Sequence, residues 1–369
     1  MTIPFLDLRA QYQEIRSEVL PAIERVLASC AFANGPAVKQ FEGTFAHYVG
    51  AKEVVCVNSG TSALHLSLLA SGVGPGDEVI VPAMTFVATA WAVSYVGAKP
   101  VFVDVSEEDH TLDPVQVEAA VVSRTKAVIP VHLYGLPANL GALQQVCKRH
   151  GLALIEDAAQ AHGARYQGRH VGTFGKLGCF SFYPGKNLGA YGEGGAIVTD
   201  DAALAERLRA LRDHGQRTKY HHDEIGFNYR MDSIQGAVLD VKLRHLDAWT
   251  RGRQAVAARY AAELAGTDLV LPAVPPDREH VWHLFVVRHP QRDKIREALQ
   301  AQGVQTGLHY PIPVPLLQAY AHLGHRAGEF PVSEEIAAQC LSLPMYAELS
   351  QMQQGQVVAA LQHALREAV

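Results

Sequence analysis

The sequence predicts an α/β fold: a large, mostly parallel sheet clothed by helices, followed by a smaller C-terminal α+β domain. Three observations predict it. From about Glu53 to Asp200, short apolar runs alternate with helical patterns. The runs are rich in Val, Ile and Ala and short enough to be strands buried on both faces. After Asp200 the alternation gives way to a long helical pattern from Ser233 to Leu264, then the turn-rich PAVPPD. In chain order the strands are EVVCVNSG, EVIVPA, PVFVDV, KAVIPVHLYG, LALIEDAA, GCFSFY and GGAIVTD. Between them the helical patterns include TSALHLSLLASG, PVQVEAAVV and LGALQQVCKRHG. Right-handed strand–helix–strand connections lay such helices on both faces of the sheet, and binding sites form at the carboxyl ends of its strands. The later part holds a strand, HLFVVRH, and a helix, DKIREALQAQG. A boundary near Leu246 divides an N-terminal arm and large domain (1–246) from a small domain (247–369).

Composition narrows the function. The chain has 369 residues, 48% hydrophobic and 19% charged, with a formal charge of -5 and no cluster of Lys and Arg. That balance argues against nucleic acid and anionic membranes as partners and favours small-molecule chemistry. Cys30, Cys56, Cys147, Cys179 and Cys340 are odd in number, dispersed and without a C-x-x-C pair, which predicts reduced, mostly buried thiols. The first residues, MTIPFLDLRAQYQEIRSEV, contain no apolar signal core, so the expected location is the cytoplasm. Val79 to Ala98 is uncharged, but Pro82 divides it into a strand and a helix rather than a membrane span. Two motifs mislead: the glycines of GVGPGDEV precede a strand and so make a helix-ending turn, and adjacent His221 and His222 lack the spacing of a metal pair.

Four stretches carry chemistry. SFYPGKNLGAYGEGGAI holds one lysine, Lys186, among glycines and aromatics, either snorkelling to water or kept as a reactive amine. VNSGTSALHL runs a strand through Ser-Gly-Thr-Ser into a helix, whose N-terminal amides suit a phosphate or need only a cap. LALIEDAAQAHG places Asp157 at the end of an apolar strand, where a carboxylate needs a cation or hydrogen bonds; Glu156 points to the other face and a different partner. Gln160 follows three residues later, and Phe86, after EVIVPA, is placed for the core or for stacking on a flat ring. A phosphate cradle, a strand-end acid, an aromatic and a glycine-flanked lysine are together the parts that hold pyridoxal phosphate. The lysine forms the Schiff base and the acid keeps the ring nitrogen protonated.

The set NSGTSAL, EDAAQAHGA, SFYPGKNLGAYGEGGAIVT, IGFNYRMDSIQGAV and GLHYPIPVP resembles the DegT-type family of sugar aminotransferases, over nearly the whole chain. The resemblance implies the aspartate aminotransferase fold (fold type I of pyridoxal phosphate enzymes), with Lys186 bonded to the cofactor and Asp157 as partner of the ring nitrogen. It further implies Gln160 near the ring hydroxyl, Phe86 on the ring, and Gly60, Thr61, Ser62 and Ser181 at the phosphate. Asn228 would reach the cofactor phosphate of a neighbouring subunit, making a homodimer with shared sites. Lysine at 186 resembles the transaminases, where dehydratase relatives carry histidine. L-Glutamate would be the donor, pyridoxamine phosphate the intermediate, and Lys186 the proton carrier in both half-reactions.

HGQRTKYHHDEIGFNYRMD resembles the branch that aminates 3-ketosugars, although FNYR departs from the NSR of that branch. The expected substrate is therefore a nucleotide-linked 3-keto-6-deoxyhexose, on dTDP, giving a 3-amino sugar. Lys219, from the neighbouring subunit, and Tyr183, His309 and Tyr310 are the candidate contacts to sugar and diphosphate. The alternatives are a 4-keto or UDP- or GDP-linked sugar, and a non-catalytic regulatory protein on the same fold. An NAD-dependent sugar oxidoreductase would share the α/β texture but lacks a well-placed glycine fingerprint.

Overall fold

The computed structural model describes residues 2–368. Its large sheet has seven strands: β1 (Glu53–Val57), β2 (Glu78–Pro82), β3 (Lys99–Val103), β4 (Thr125–Val128), β5 (Ala153–Asp157), β6 (Leu177–Ser181) and β7 (Gly195–Thr199). They are the seven runs read from the sequence. Their order is β1-β7-β6-β5-β4-β2-β3, with β7 antiparallel to both neighbours and the remaining pairs parallel. The antiparallel β6–β7 pair has a positional consequence. The loop joining these strands, which carries Lys186, leaves at the same sheet edge where the parallel strands end.

Among the described residues, twelve α-helices accompany the sheet: α1 (Leu8–Ser29), α2 (Pro36–Val49), α3 (Gly60–Ala70), α4 (Ala88–Tyr95), α5 (Pro114–Ala120), α6 (Leu140–His150), α7 (Ala202–Arg212), α8 (Ser233–Leu243), α9 (Leu246–Glu263), α10 (Arg292–Ala301), α11 (Pro331–Gln339) and α12 (Gln351–Ala368). Local signals start and stop several of them. Asp7 caps α1 by accepting from the amides of Arg9 and Ala10, Pro36 opens α2 and Gly50, at φ +75°, ends it. The long pattern Ser233 to Leu264 resolves into two helices. The amides of Arg244 and His245 bond three residues back, to Val241 and Lys242, and this tightened turn interrupts the α-helical ladder.

Both faces of the sheet are covered, and strand residues alternate between them as the two-residue period requires. Val54, Cys56 and Ile80 pack with Phe41, Phe45, Phe180 and Phe182 on one side. Val55, Val57, Val79 and Val81 pack with Leu64, Leu66 and Leu68 on the other. A separate core joins α9, α10 and α12 to the antiparallel pair β8 (Phe285–Arg288) and β9 (Cys340–Leu343), and Ile3 of the N-terminal segment plugs into it. The uncharged Val79 to Ala98 segment is a buried strand and helix, and none of the described helices is long and apolar enough to cross a membrane. The cysteines are free thiols, all buried except Cys30.

Candidate functional site

The carboxyl ends of β1, β2, β5 and β6 open into a cleft of about 700 Å³. Its far wall comes from Phe5 and Leu6 near the N-terminus and from His283, His309, Tyr310 and Met345. Lys186 lines the cleft, on a tight turn. The Lys186 amide donates to the Tyr183 carbonyl at 2.9 Å, and a Cβ at residue 189 would lie 2.3 Å from the Pro184 carbonyl oxygen, so Gly189 is required for the chain to fold back. Buried Lys242, on α8, donates to the Gly189 carbonyl at 2.7 Å and clamps the turn from behind. The surrounding protein disfavours the charged ammonium of Lys186 and lowers it to about 8, against the opposing field of Asp157. A minor but appreciable fraction of the amine is thus neutral near physiological pH, far more than for an ordinary lysine, and that is the form that attacks a carbonyl.

Asp157 ends β5, 5% exposed, and faces the same cleft. Its Oδ2 accepts from the Thr89 hydroxyl at 2.8 Å and its Oδ1 from the Ala159 amide at 3.1 Å. Since the Thr89 proton goes to Asp157, the Thr85 hydroxyl 3.0 Å away must donate to Thr89 in turn. Burial raises the carboxyl above its ordinary value despite these bonds, so a cation brought against it would be strongly held. Glu156 has the different partners expected of it: the amides of Gly172, Phe174 and Gly175 and the ring of His132. Glu156 and His132 are themselves fully buried, and neither lines the cleft.

The N-terminus of α3 points at the cleft. Ser59 caps it by accepting from the Ser62 amide at 3.0 Å, while the N–H groups of Gly60 and Thr61 find no acceptor among the described residues. These amides, with Ser181 at the end of β6, form an anion cradle. It is closely fitted, since a Cβ at residue 60 would lie 2.6 Å from the Ser181 Cβ. Ser62 is the exception to the expected set: it is buried behind the cradle, and its hydroxyl donates to Asn58 at 2.7 Å. Gln160 takes the Tyr134 amide at 2.7 Å and donates to the Tyr310 hydroxyl at 3.0 Å, and Phe86, 52% exposed, flanks Tyr310 at 5.6 Å. Tyr183 and His309 also line the cleft. Asn228 and Lys219 do not: both are exposed, Lys219 on the Gln216–His222 hairpin beside Tyr220.

Sequence reasoning missed Thr89, His283 and Arg253. The pair Thr85 and Thr89, four apart after a strand, was a legible sign of two hydroxyls on one helix face. Nothing near His283 marked it. Asn187 donates to the Val281 carbonyl and so accepts from the His283 Nδ1–H at 3.1 Å, leaving His283 Nε2 as an acceptor. Burial and nearby Lys186 hold this ring neutral, well below the ordinary histidine value. The assembled groups fit pyridoxal phosphate by their chemistry: an anion cradle that excludes a Cβ, a buried acid for a cationic ring nitrogen, an exposed aromatic and a partly neutral lysine.

Comparison with known proteins agrees with this geometry. The family model described as the DegT/DnrJ/EryC1/StrS aminotransferase family matches residues 13–362. The chain is 51% identical over 360 residues, 97% of its length and 95% of the relative's, to dTDP-3-amino-3,4,6-trideoxy-alpha-D-glucose transaminase of Streptomyces venezuelae. It is 45% identical, over 98% of each chain, to a UDP-N-acetyl-3-dehydro-alpha-D-glucosamine 3-aminotransferase of Acidithiobacillus ferrooxidans. Among solved structures, S. venezuelae DesV in complex with a ketimine intermediate superimposes with a TM-score of 0.97 at 50% identity, covering 99% of this chain and 98% of that one.

Proposed function

This chain belongs to the DegT/DnrJ/EryC1/StrS aminotransferase family, and from that premise we infer that it moves an amino group from L-glutamate to C3 of a nucleotide-linked 3-ketosugar, a dTDP-linked 6-deoxyhexose first among them. It is a pyridoxal phosphate-dependent transaminase. The observation that carries the reading is Lys186, an amine lowered to about 8, set in one cleft with buried Asp157 and the α3 cradle. The relatives named above support C3, since both act at that carbon while differing in nucleotide.

The cofactor, when bound, supplies an electron sink that makes the donor's α-proton removable. The chain's own groups do the rest. Gly60 and Thr61 amides and Ser181 would hold the phosphate, and Phe86 would cover the ring. Asp157, kept anionic by Thr89 and the Ala159 amide, holds the proton on the ring nitrogen. Gln160, fixed through the Tyr134 amide and the Tyr310 hydroxyl, would be the residue that holds the ring hydroxyl. Lys186 Nζ takes the α-proton of the donor and later returns one to the sugar carbon, which its lowered basicity permits near neutral pH. Tyr183, His309 and Tyr310 contact the sugar and its diphosphate.

The same reading makes the enzyme a cytoplasmic homodimer, with a large domain 1–246 and a small domain 247–369. Asn228 and Lys219 are exposed in their own chain, as are the aromatic side chains of Trp91, Tyr95 and Tyr183. A partner subunit covering these rings would bring Asn228 to its cofactor phosphate and Lys219 to its substrate diphosphate. The test is a mass-resolved assay with L-glutamate and paired 3-keto and 4-keto nucleotide sugars, with NMR locating the new amine. Amination at C3 is expected; efficient amination at C4 alone overturns the substrate and leaves the cofactor chemistry intact.

A further inference from the structure

We propose that Lys242 is a positioning residue of the reaction: its bond to the Gly189 carbonyl holds the turn that aims the Lys186 amine, before any cofactor arrives. The inference rests on the reading above that Lys186 is the reacting amine. Lys242, on α8, is 1% exposed, stands outside the cleft lining, and donates from Nζ to the buried Gly189 carbonyl at 2.7 Å. Its ammonium also lies 4.4 Å from the centre of the Tyr191 ring, on the outgoing arm of the same turn. Glu348, the acid whose field it feels, forms no salt bridge with it among the described residues. Gln235, two helical turns earlier on the same face of α8, accepts the Tyr191 amide at 2.9 Å. One face of α8 thus grips the turn at two successive points.

A buried ammonium without an acid beside it is costly, and an apolar side chain of the same length would occupy this place at less cost. What the ammonium adds is the strength of a charge-assisted hydrogen bond, about twice that of a neutral one. The turn has use for such a tie. Its own main-chain bonds, from the Lys186 amide to the Tyr183 carbonyl at 2.9 Å and from the Ala190 amide to the Phe182 carbonyl at 2.8 Å, close it on itself without fixing it to the body of the large domain. The bond from Lys242 supplies that anchor three positions after Lys186. A shift of the Gly189 carbonyl therefore swings the main chain that carries the lysine, and a misplacement of about 1 Å at a reacting group costs about 100-fold in rate.

The wild type is compared with Lys242→Met, which keeps an unbranched side chain and removes its donor, and with Lys242→Gln, which keeps a neutral N–H donor. Hydrogen–deuterium exchange on the full-length chain without cofactor reads the turn directly. In Lys242→Met the segment 183–191 should exchange about 10- to 100-fold faster, with α2 unchanged. In the holoenzyme the maximal rate of the half-reaction with L-glutamate should fall by about 10- to 100-fold, while the half-saturating concentration moves about 3-fold or less. Lys242→Gln should lose less in both measurements. An unmoved turn, a loosened turn with a wild-type maximal rate, exchange accelerated equally in α2, or equal losses in the two variants overturns the proposal. The wild-type chain supplies a test without substitution: before cofactor is added, 183–191 should exchange at least about 10-fold more slowly than the exposed 216–222 hairpin, and equal rates overturn the proposal. Borohydride reduction of wild-type holoenzyme, followed by peptide mapping, keeps the underlying reading separate. Cofactor bonded to a lysine other than Lys186 removes that reading and the proposal with it, whereas cofactor on Lys186 beside an unmoved turn overturns the proposal alone.

Discussion

Thr89→Val tests the polar chain behind the cofactor's ring nitrogen. Valine keeps the shape of threonine and removes its hydroxyl, which donates to Asp157 Oδ2 at 2.8 Å inside a fully buried pair. A hydrogen bond to a charged acceptor is worth about 1.5–3 kcal/mol, so kcat/KM should fall about 10- to 150-fold if that bond keeps Asp157 anionic in the transition state. The pH profile should move as well. Burial already raises the Asp157 carboxyl, and the Thr89 bond is the largest influence lowering it. Without that bond the carboxylate forms only at higher pH, and the acid limb of kcat/KM shifts to the alkaline side. Thr85→Val removes only the hydroxyl 3.0 Å behind Thr89 and should cost about 5-fold or less. Steady-state rates with glutamate and ketosugar across pH, with thermal melts to establish folding, make the comparison. A folded Thr89→Val enzyme with wild-type kcat/KM and an unmoved acid limb would refute the role given to Asp157.

Three more outcomes follow from the same structure. Gly60→Ala puts a Cβ 2.6 Å from that of Ser181, so pyridoxal phosphate affinity measured by fluorescence titration should weaken about 10-fold or more; unchanged affinity would remove the cradle. Lys186→Ala and Asn228→Asp subunits should each be inactive yet regain activity when mixed, because one site of each heterodimer carries neither lesion; no recovery despite demonstrated heterodimers places Asn228 in its own subunit's site. His280, 6% exposed, accepts the Trp282 amide at 2.9 Å, and burial lowers it to about 3. Its folded value lies below the unfolded 6.5, so its contribution is full above that pH and is lost as pH falls toward the folded value. By about pH 5 the loss is about 2 kcal/mol. His280→Gln should reduce the drop in unfolding free energy between about pH 7.5 and 5 by that amount in urea titrations, and an unchanged drop would contradict a buried neutral ring.

The legible parts were those written in local pattern. Seven apolar runs between helices specified the sheet because strands buried on both faces must be apolar throughout. Lys186 stood out because an isolated ammonium among glycines and aromatics has no local reason to be there, and Asp157 because a carboxylate ending an apolar strand needs a partner. Ser62 was read as a phosphate contact since Ser-Gly-Thr-Ser looks uniform in one dimension. In three dimensions the cap at Ser59 consumes the Ser62 amide, and helical rotation turns its hydroxyl back to Asn58.

By itself the sequence determined the α/β class, the strand edge where chemistry gathers and the identity of its lysine and acid, because these depend on period, polarity and the residues beside a strand's end. Only the tertiary structure decided what meets across the cleft. Arg253 and His283 lie far along the chain from Lys186, and Thr89 is separated from Asp157 by 68 positions; each is placed by packing between elements that no local pattern relates. The basicity of Lys186 belongs to the same category. Lysine carries an ordinary amine wherever it is written, and only the protein folded around this one lowers it to about 8.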